Sequence, residues 1–199
     1  MPIFKDEHEL ARSLEKMLKP KFKEIYANVN LASHNFYDNW KKWWGESAPV
    51  AQPQIDLLFV SSNLELLAVE LKYYRPARNS RIRWSYYSGI EETLALLKFG
   101  FTCVSLWHFF DYEVPDETMK NYFRDCWELI AVLGLRINYK AFKIHGRQEA
   151  EFKEIARMSR SEVSPDFSPY GTSNPLSANS YAKKTQDFIR NALRIPRER

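Results

Sequence analysis

Three ionisable residues interrupt two otherwise apolar segments of this chain. Ile55 to Val60 reads I-D-L-L-F-V, and Leu66 to Tyr74 reads L-L-A-V-E-L-K-Y-Y. Both segments have strand length, and Ser61, Ser62 and Asn63 lie between them, so the pair is expected to form a β-hairpin. The interrupting residues are Asp56, Glu70 and Lys72. Side chains alternate across a strand, which puts Glu70 and Lys72 on one face. A three-residue loop of Ser62, Asn63 and Leu64 sets Asp56 directly opposite Glu70. Two carboxylates so placed repel each other, and burial raises their pKa values further. A divalent cation between them removes both penalties, and hard oxygen donors suit Mg2+ or Mn2+. The bland alternative is an edge hairpin whose solvated face carries these charges.

The elements that must position this group can be followed along the chain. Asp6 to Leu18 is expected as a helix, with Leu10, Leu14, Met17 and Leu18 as its buried stripe. Glu7 lies on the face of Leu10 and Leu14, whereas Glu9 points away. Pro20 ends this helix, and Lys23 to Leu31 alternates as a first strand. Residues 33–48 form an insertion carrying Trp40, Trp43 and Trp44, read as core packing or as a partner surface. After the hairpin, Arg75, Arg78, Arg81 and Arg83 run without a counter-acid into Trp84, Tyr86 and Tyr87. Arginines mixed with aromatics suit a nucleic-acid backbone and unstacked bases. Ser88 and Glu91 have capping-box spacing for the next helix, and Gly100 is expected at its C-terminal end. Phe101 to Phe109 is a near-continuous apolar strand of the kind found at a sheet centre. A helix opening at Pro115 and Asp116 and a strand from Arg136 to Ile144 follow. His108 has no partner at metal-ligand spacing and is read as structural.

Asp56, thirteen intervening residues and then Glu70-Leu71-Lys72 resemble the motif of the PD-(D/E)XK nuclease superfamily. That superfamily includes restriction endonucleases, archaeal Holliday-junction resolvases and archaeal viral nucleases. The resemblance spans roughly residues 3–144, by motif and order of elements, and departs from the pattern where Ile55 rather than proline precedes Asp56. It implies a restriction-endonuclease-like α/β core, a mixed sheet flanked by helices in the order α-β-β-β-α-β-α-β. It also implies Mg2+- or Mn2+-dependent hydrolysis of phosphodiester bonds in DNA, in recombination, repair or viral replication. Asp56, Glu70 and the backbone carbonyl of Leu71 would hold the metal, and Lys72 would orient the attacking water. The string Glu7-x-x-Leu10-Ala11-x-x-Leu14 is similar to the first helix of the junction resolvases, which implies Glu7 as a further ligand; an acid favoured by the helix dipole is the other reading. Relatives carry Gln or Glu on the helix after the hairpin, which implies Glu92 as an accessory residue. The alternative function is a nuclease-fold DNA-binding or scaffold protein with weak or lost catalysis.

Residues 1–145 are thus expected as the core and 146–199 as an extension, with a possible helix from Gln148 to Met158, a Ser/Pro/Asn/Gly-rich linker and a basic helix from Ala182 to Leu193. The net charge is only +4, but from Pro175 onward six basic residues face two acidic ones, so the rest of the chain is neutral overall. Lys183 and Lys184 in this tail join Arg75, Arg78, Arg81 and Arg83 as expected DNA contacts. Two cysteines, Cys103 and Cys126, are too few for a zinc site. The start lacks an apolar leader and no run reaches a membrane span, so a cytoplasmic protein with no membrane partner and no organic cofactor is expected. Cutting both strands of a duplex usually needs two sites related by a two-fold axis, so a homodimer is expected, through the aromatic insertion or the C-terminal helix.

Overall fold

The computed structural model describes residues 2–30, 54–75, 85–155 and 162–195. Seven strands form one open sheet in sequential order: β1 (Glu24–Asn30), β2 (Gln54–Val60), β3 (Leu66–Tyr74), β4 (Cys103–Asp111), β5 (Asn138–Ile144), β6 (Phe152–Ile155) and the short β7 (Glu162–Val163). The first three strands pair antiparallel, β3–β4–β5 pair parallel, and β6 and β7 return antiparallel. The sheet is therefore mixed. Among the described residues, four α-helices flank it: α1 (Glu7–Leu18), α2 (Ile90–Phe99), α3 (Asp116–Val132) and α4 (Ser180–Leu193).

The two faces follow from strand alternation. Leu67, Val69, Leu71 and Tyr73 of β3 join Leu57, Phe59, Trp107 and Phe109 in the core beneath α1. Leu66 and Ala68 join Leu58, Val60 and Val104 beneath α2 and α4. Glu70 and Lys72 continue that second set, so they face α2. β4 is buried at every position, as a strand covered on both faces must be. Among the described residues, no helix is long and apolar enough to cross a membrane.

Two local expectations need correction. Of the helix expected over 148–158, the described residues 148–155 are not helical: a short 3-10 turn at Glu149–Glu151 leads into β6, because Phe152 and Ile155 are taken into the core as strand residues. Ser88 does not cap α2. Gly89 is the N-terminal cap residue, at φ 88 and without a side-chain cap, while the carbonyl of Ser88 bonds to His108. Phe188 and Ile189 are buried in this chain's own core, and the Arg190 guanidinium bonds the carbonyl of Leu64. The 33–48 insertion lies outside the described residues.

Candidate metal and phosphodiester site

The hairpin register decides where the charged residues meet. β2 and β3 pair from Val60↔Leu66 to Leu57↔Val69. The turn has Leu64 N–H bonded to the Ser61 carbonyl, with Leu64 at φ 62, which is the three-residue loop closed by a left-handed residue. Continued by one residue, that register sets Asp56 opposite Glu70. There the ladder stops. β2 runs on to Gln54 beside β1 but parts from β3, and the Leu71 N–H, which Ile55 would otherwise face, donates instead to Asp56 Oδ2 at 2.8 Å. Two residues on, the Tyr73 N–H donates to Glu7 Oε1 at 3.0 Å. Two carboxylates thus replace the missing strand along this edge of β3.

Glu7 reaches that edge because the first turn of α1 is fastened to β1. Asn28 sits at φ 55 inside β1, a conformation Asn tolerates better than most residues. Its side chain meets His8 twice, Oδ1 to the ring Nδ1 at 2.7 Å and Nδ2 to the backbone carbonyl at 3.2 Å. Glu9 is turned elsewhere, accepting from the Lys5 N–H and pairing with Arg147 at 2.8 Å. Of the two acids in this turn, Glu7 is the one at the β3 edge.

On the α2 side, Lys72 Nζ lies 2.7 Å from Glu70 Oε1 and 3.1 Å from Glu92 Oε1. The other oxygen of Glu92 is buried without a hydrogen-bond partner. α2 approaches closely because its cap is glycine: a Cβ on Gly89 would come within 3.0 Å of Lys72 Cε and 2.7 Å of Leu106 Cδ1. The turn before α2 is held from below. His108, buried and flanking Lys72 on β4, meets the Ser88 carbonyl with Nε2 at 3.1 Å and the Tyr139 hydroxyl with Nδ1 at 3.0 Å. Only Nε2–H can serve a carbonyl, so that tautomer is fixed by its partners. Burial drives the His108 pKa down to about 3, and the ring is neutral. Tyr74 Oη adds a bond to the Ser85 carbonyl at 3.3 Å.

The electrostatics are those of a crowded acidic site. Burial, and then the charge of Asp56, push Glu70 up to about 9 despite Lys72 beside it. Burial raises Asp56 to about 6, against the Leu71 N–H and with the Glu7 charge adding to the rise. Burial opposes the Lys72 charge, but Glu70 and the other carboxylates outweigh it and raise its pKa, so it is a lysinium at neutral pH. Burial also opposes ionisation of Glu92, and Lys72 overcomes it, holding that carboxyl low. Glu70 and Glu92 therefore contact one ammonium group, on which the charges of Glu7 and Asp56 also act. Among the described residues, no three His, Cys, Asp or Glu side chains stand close enough to enclose an ion by themselves. Asp56 and Glu70, with the Leu71 carbonyl, are the oxygen donors here of the kind a hard cation takes.

The remaining expected contacts fall unevenly. Arg75 is exposed beside the site, its guanidinium bonded to the Lys5 carbonyl and lying 5.8 Å from the Tyr73 ring centroid. Arg78, Arg81 and Arg83 lie outside the described residues. Lys183 and Lys184 are exposed on α4, but α4 packs where Ala182 meets Gly100 and Arg190 meets Leu64. That is the Leu66 end of β3, separated from Lys72 by six residues of strand, or ~20 Å. The fold does not bring them to the acidic group. Asn28, His8 and His108 were not singled out as positioning residues from sequence; a lone Asn poorly suited to a strand was the one available signal. Comparison with family models, with curated proteins and with solved structures found no match to this chain.

Proposed function

We propose that this chain is a metal-dependent nuclease that hydrolyses phosphodiester bonds in DNA, built on a restriction-endonuclease-like core. The observation that carries the reading is the parting of β2 from β3, which leaves Asp56 on the Leu71 N–H with Glu70 and Lys72 beside it. Asp56, Glu70 and the Leu71 carbonyl would hold Mg2+ or Mn2+, with Glu7 ligating directly or through water. Such an ion, when bound, acidifies a water and neutralises charge on the phosphate. Lys72 carries a proton at neutral pH and offers donors to the attacking water or to the oxygens on which negative charge develops. Glu92 holds that ammonium from the α2 side, which keeps it from collapsing wholly onto Glu70. Glu7 and Asp56, each bonded to a β3 N–H, fix the strand edge that presents the Leu71 carbonyl. Arg75 at the mouth, with Arg78, Arg81 and Arg83 after it in sequence, supplies the charge that a phosphate backbone requires. Two copies would be needed for both strands of a duplex, joined through the 33–48 insertion or the C-terminal helix.

The test is cleavage of end-labelled single-stranded, duplex and branched DNA, and of RNA, in Mg2+ and in EDTA. The wild type should cut in Mg2+ only, and Asp56→Asn and Lys72→Met should not cut. Tight binding without cleavage by the wild type would leave the DNA-binding scaffold; cleavage unaffected by both substitutions would remove the site.

A further inference from the structure

The turn from Ser85 to Ser88 has no need, as a connection, to carry two exposed aromatic rings, yet Tyr87 is 54 % exposed and Tyr86 37 %. Their rings meet edge to face at 5.3 Å between centroids. The turn beneath them is rigidly held. Its ends bond each other through the Ser88 N–H and the Ser85 carbonyl at 3.1 Å. Tyr74 holds the Ser85 carbonyl, His108 holds the Ser88 carbonyl, and the Gly89 carbonyl receives both the Thr93 N–H and its hydroxyl. Directly after this turn, Gly89 lies against the Lys72 side chain. Two aromatic faces are therefore displayed, at fixed position, beside the lysine of the phosphodiester site.

Resting on the nuclease reading above, we infer that Tyr86 and Tyr87 form a stacking platform for an unpaired nucleobase next to the phosphate being cut. The substrate class is then single-stranded, frayed or branched DNA. A fully paired duplex keeps its bases within the helix and offers this turn only phosphates, which tyrosine rings do not recognise. Stacking on aromatic side chains is tolerant of sequence, because every base has a π face. A pre-ordered turn also loses little conformational freedom on binding.

The experiment uses the full chain with Ca2+ in place of Mg2+. Binding is read by fluorescence anisotropy on a single-stranded oligonucleotide and on a duplex of the same sequence, with 2-aminopurine placed at successive positions. The wild type should quench 2-aminopurine at one preferred position. Y86A/Y87A should lose that quenching and weaken single-strand binding ~10-fold or more, with duplex binding unchanged. Y86F/Y87F, which keeps both rings, should behave as wild type, and thermal melting of each variant confirms the fold. Equal losses on both nucleic acids, or no loss on the single strand, overturn the platform while the nuclease reading stands, and the rings then belong to a protein contact. Failure of the wild type to bind either nucleic acid overturns both.

Discussion

Asp56 Oδ2 accepts the Leu71 N–H at 2.8 Å, at the point where β2 and β3 cease to pair. One carboxylate oxygen is thereby committed to the fold, and the other is left for the site. The same side chain ends a ladder and begins an acidic cluster. Stability and chemistry at this position should therefore separate by the choice of substitution.

Asp56→Asn keeps an acceptor for the Leu71 N–H and should melt close to wild type while losing Mn2+ affinity. Asp56→Ala leaves that buried N–H unpaired and should cost ~1–3 kcal/mol of stability in addition. Calorimetric titration with Mn2+ and urea unfolding of the two variants check both halves. Equal stability of the two would show that the bond contributes nothing.

The pH dependence of the metal-free chain follows from Glu70 and Asp56. Their unfolded pKa values are about 4, while burial first, and then the Asp56 charge, lift Glu70 to about 9, and burial, with the Glu7 charge adding, lifts Asp56 to about 6 in the fold. Between those limits the folded state holds protons that the unfolded state releases, so their contribution to stability falls as pH rises. It is complete below about pH 4, is lost for Asp56 by about pH 6, and continues to fall for Glu70 towards about pH 9. Melting temperatures across this window should decline less steeply in Glu70→Gln than in wild type. Saturating Mg2+ should flatten the wild-type decline, because the ion takes the place of the protons. A wild-type slope no steeper than that of Glu70→Gln would contradict the assignment of a raised Glu70.

Gly89→Ala tests how the lysine is placed. The backbone there is left-handed, and a Cβ would press on Lys72 Cε and Leu106 Cδ1. Both are movable side-chain ends, so the fold should survive with a loss of ~1 kcal/mol from the backbone strain. Cleavage should fall far more than stability, since Lys72 must shift from Glu92. Unaltered kcat would show that the Gly89 contact does not set the position of the ammonium group.

Gly100→Ala acts at the opposite end of the sheet. Its left-handed φ of 85 and the Ala182 Cα, 2.8 Å from the added Cβ, put backbone against backbone. α4 must move, and unfolding should become easier by ~2 kcal/mol or more. Mn2+ affinity of the molecules that remain folded should be unchanged. A parallel loss of metal affinity would tie the tail to the site.

The hairpin was legible in the sequence because period-two alternation and a three-residue loop leave one register that buries Leu57 and Phe59 with Leu67 and Val69. The order of helices and strands through β5 followed from the same patterning. The segment after Gly146 was not legible: Phe152 and Ile155 fit either period over so few residues, and only pairing with β5 decides for strand. The start of α2 was misplaced because a local serine signal competes with the buried His108, 20 positions further along the chain, which takes the Ser88 carbonyl. Asp56, Glu70, Lys72, Glu7 and Glu92 could be named from sequence, but what holds them could not. Asn28 fastens Glu7 through His8, and such long-range side-chain bonds leave no periodic trace.

The central claim is that Asp56 and Glu70, opposed across the end of the hairpin, hold a divalent cation with the Leu71 carbonyl. Anomalous diffraction from crystals of the full chain grown with Mn2+ tests it most directly. The predicted result is a manganese peak within the usual 2.0–2.6 Å ligand range of both carboxylates and of that carbonyl, absent in Asp56→Asn. A peak elsewhere on the chain, or none between these residues in crystals that bind Mn2+ at other sites, would contradict it.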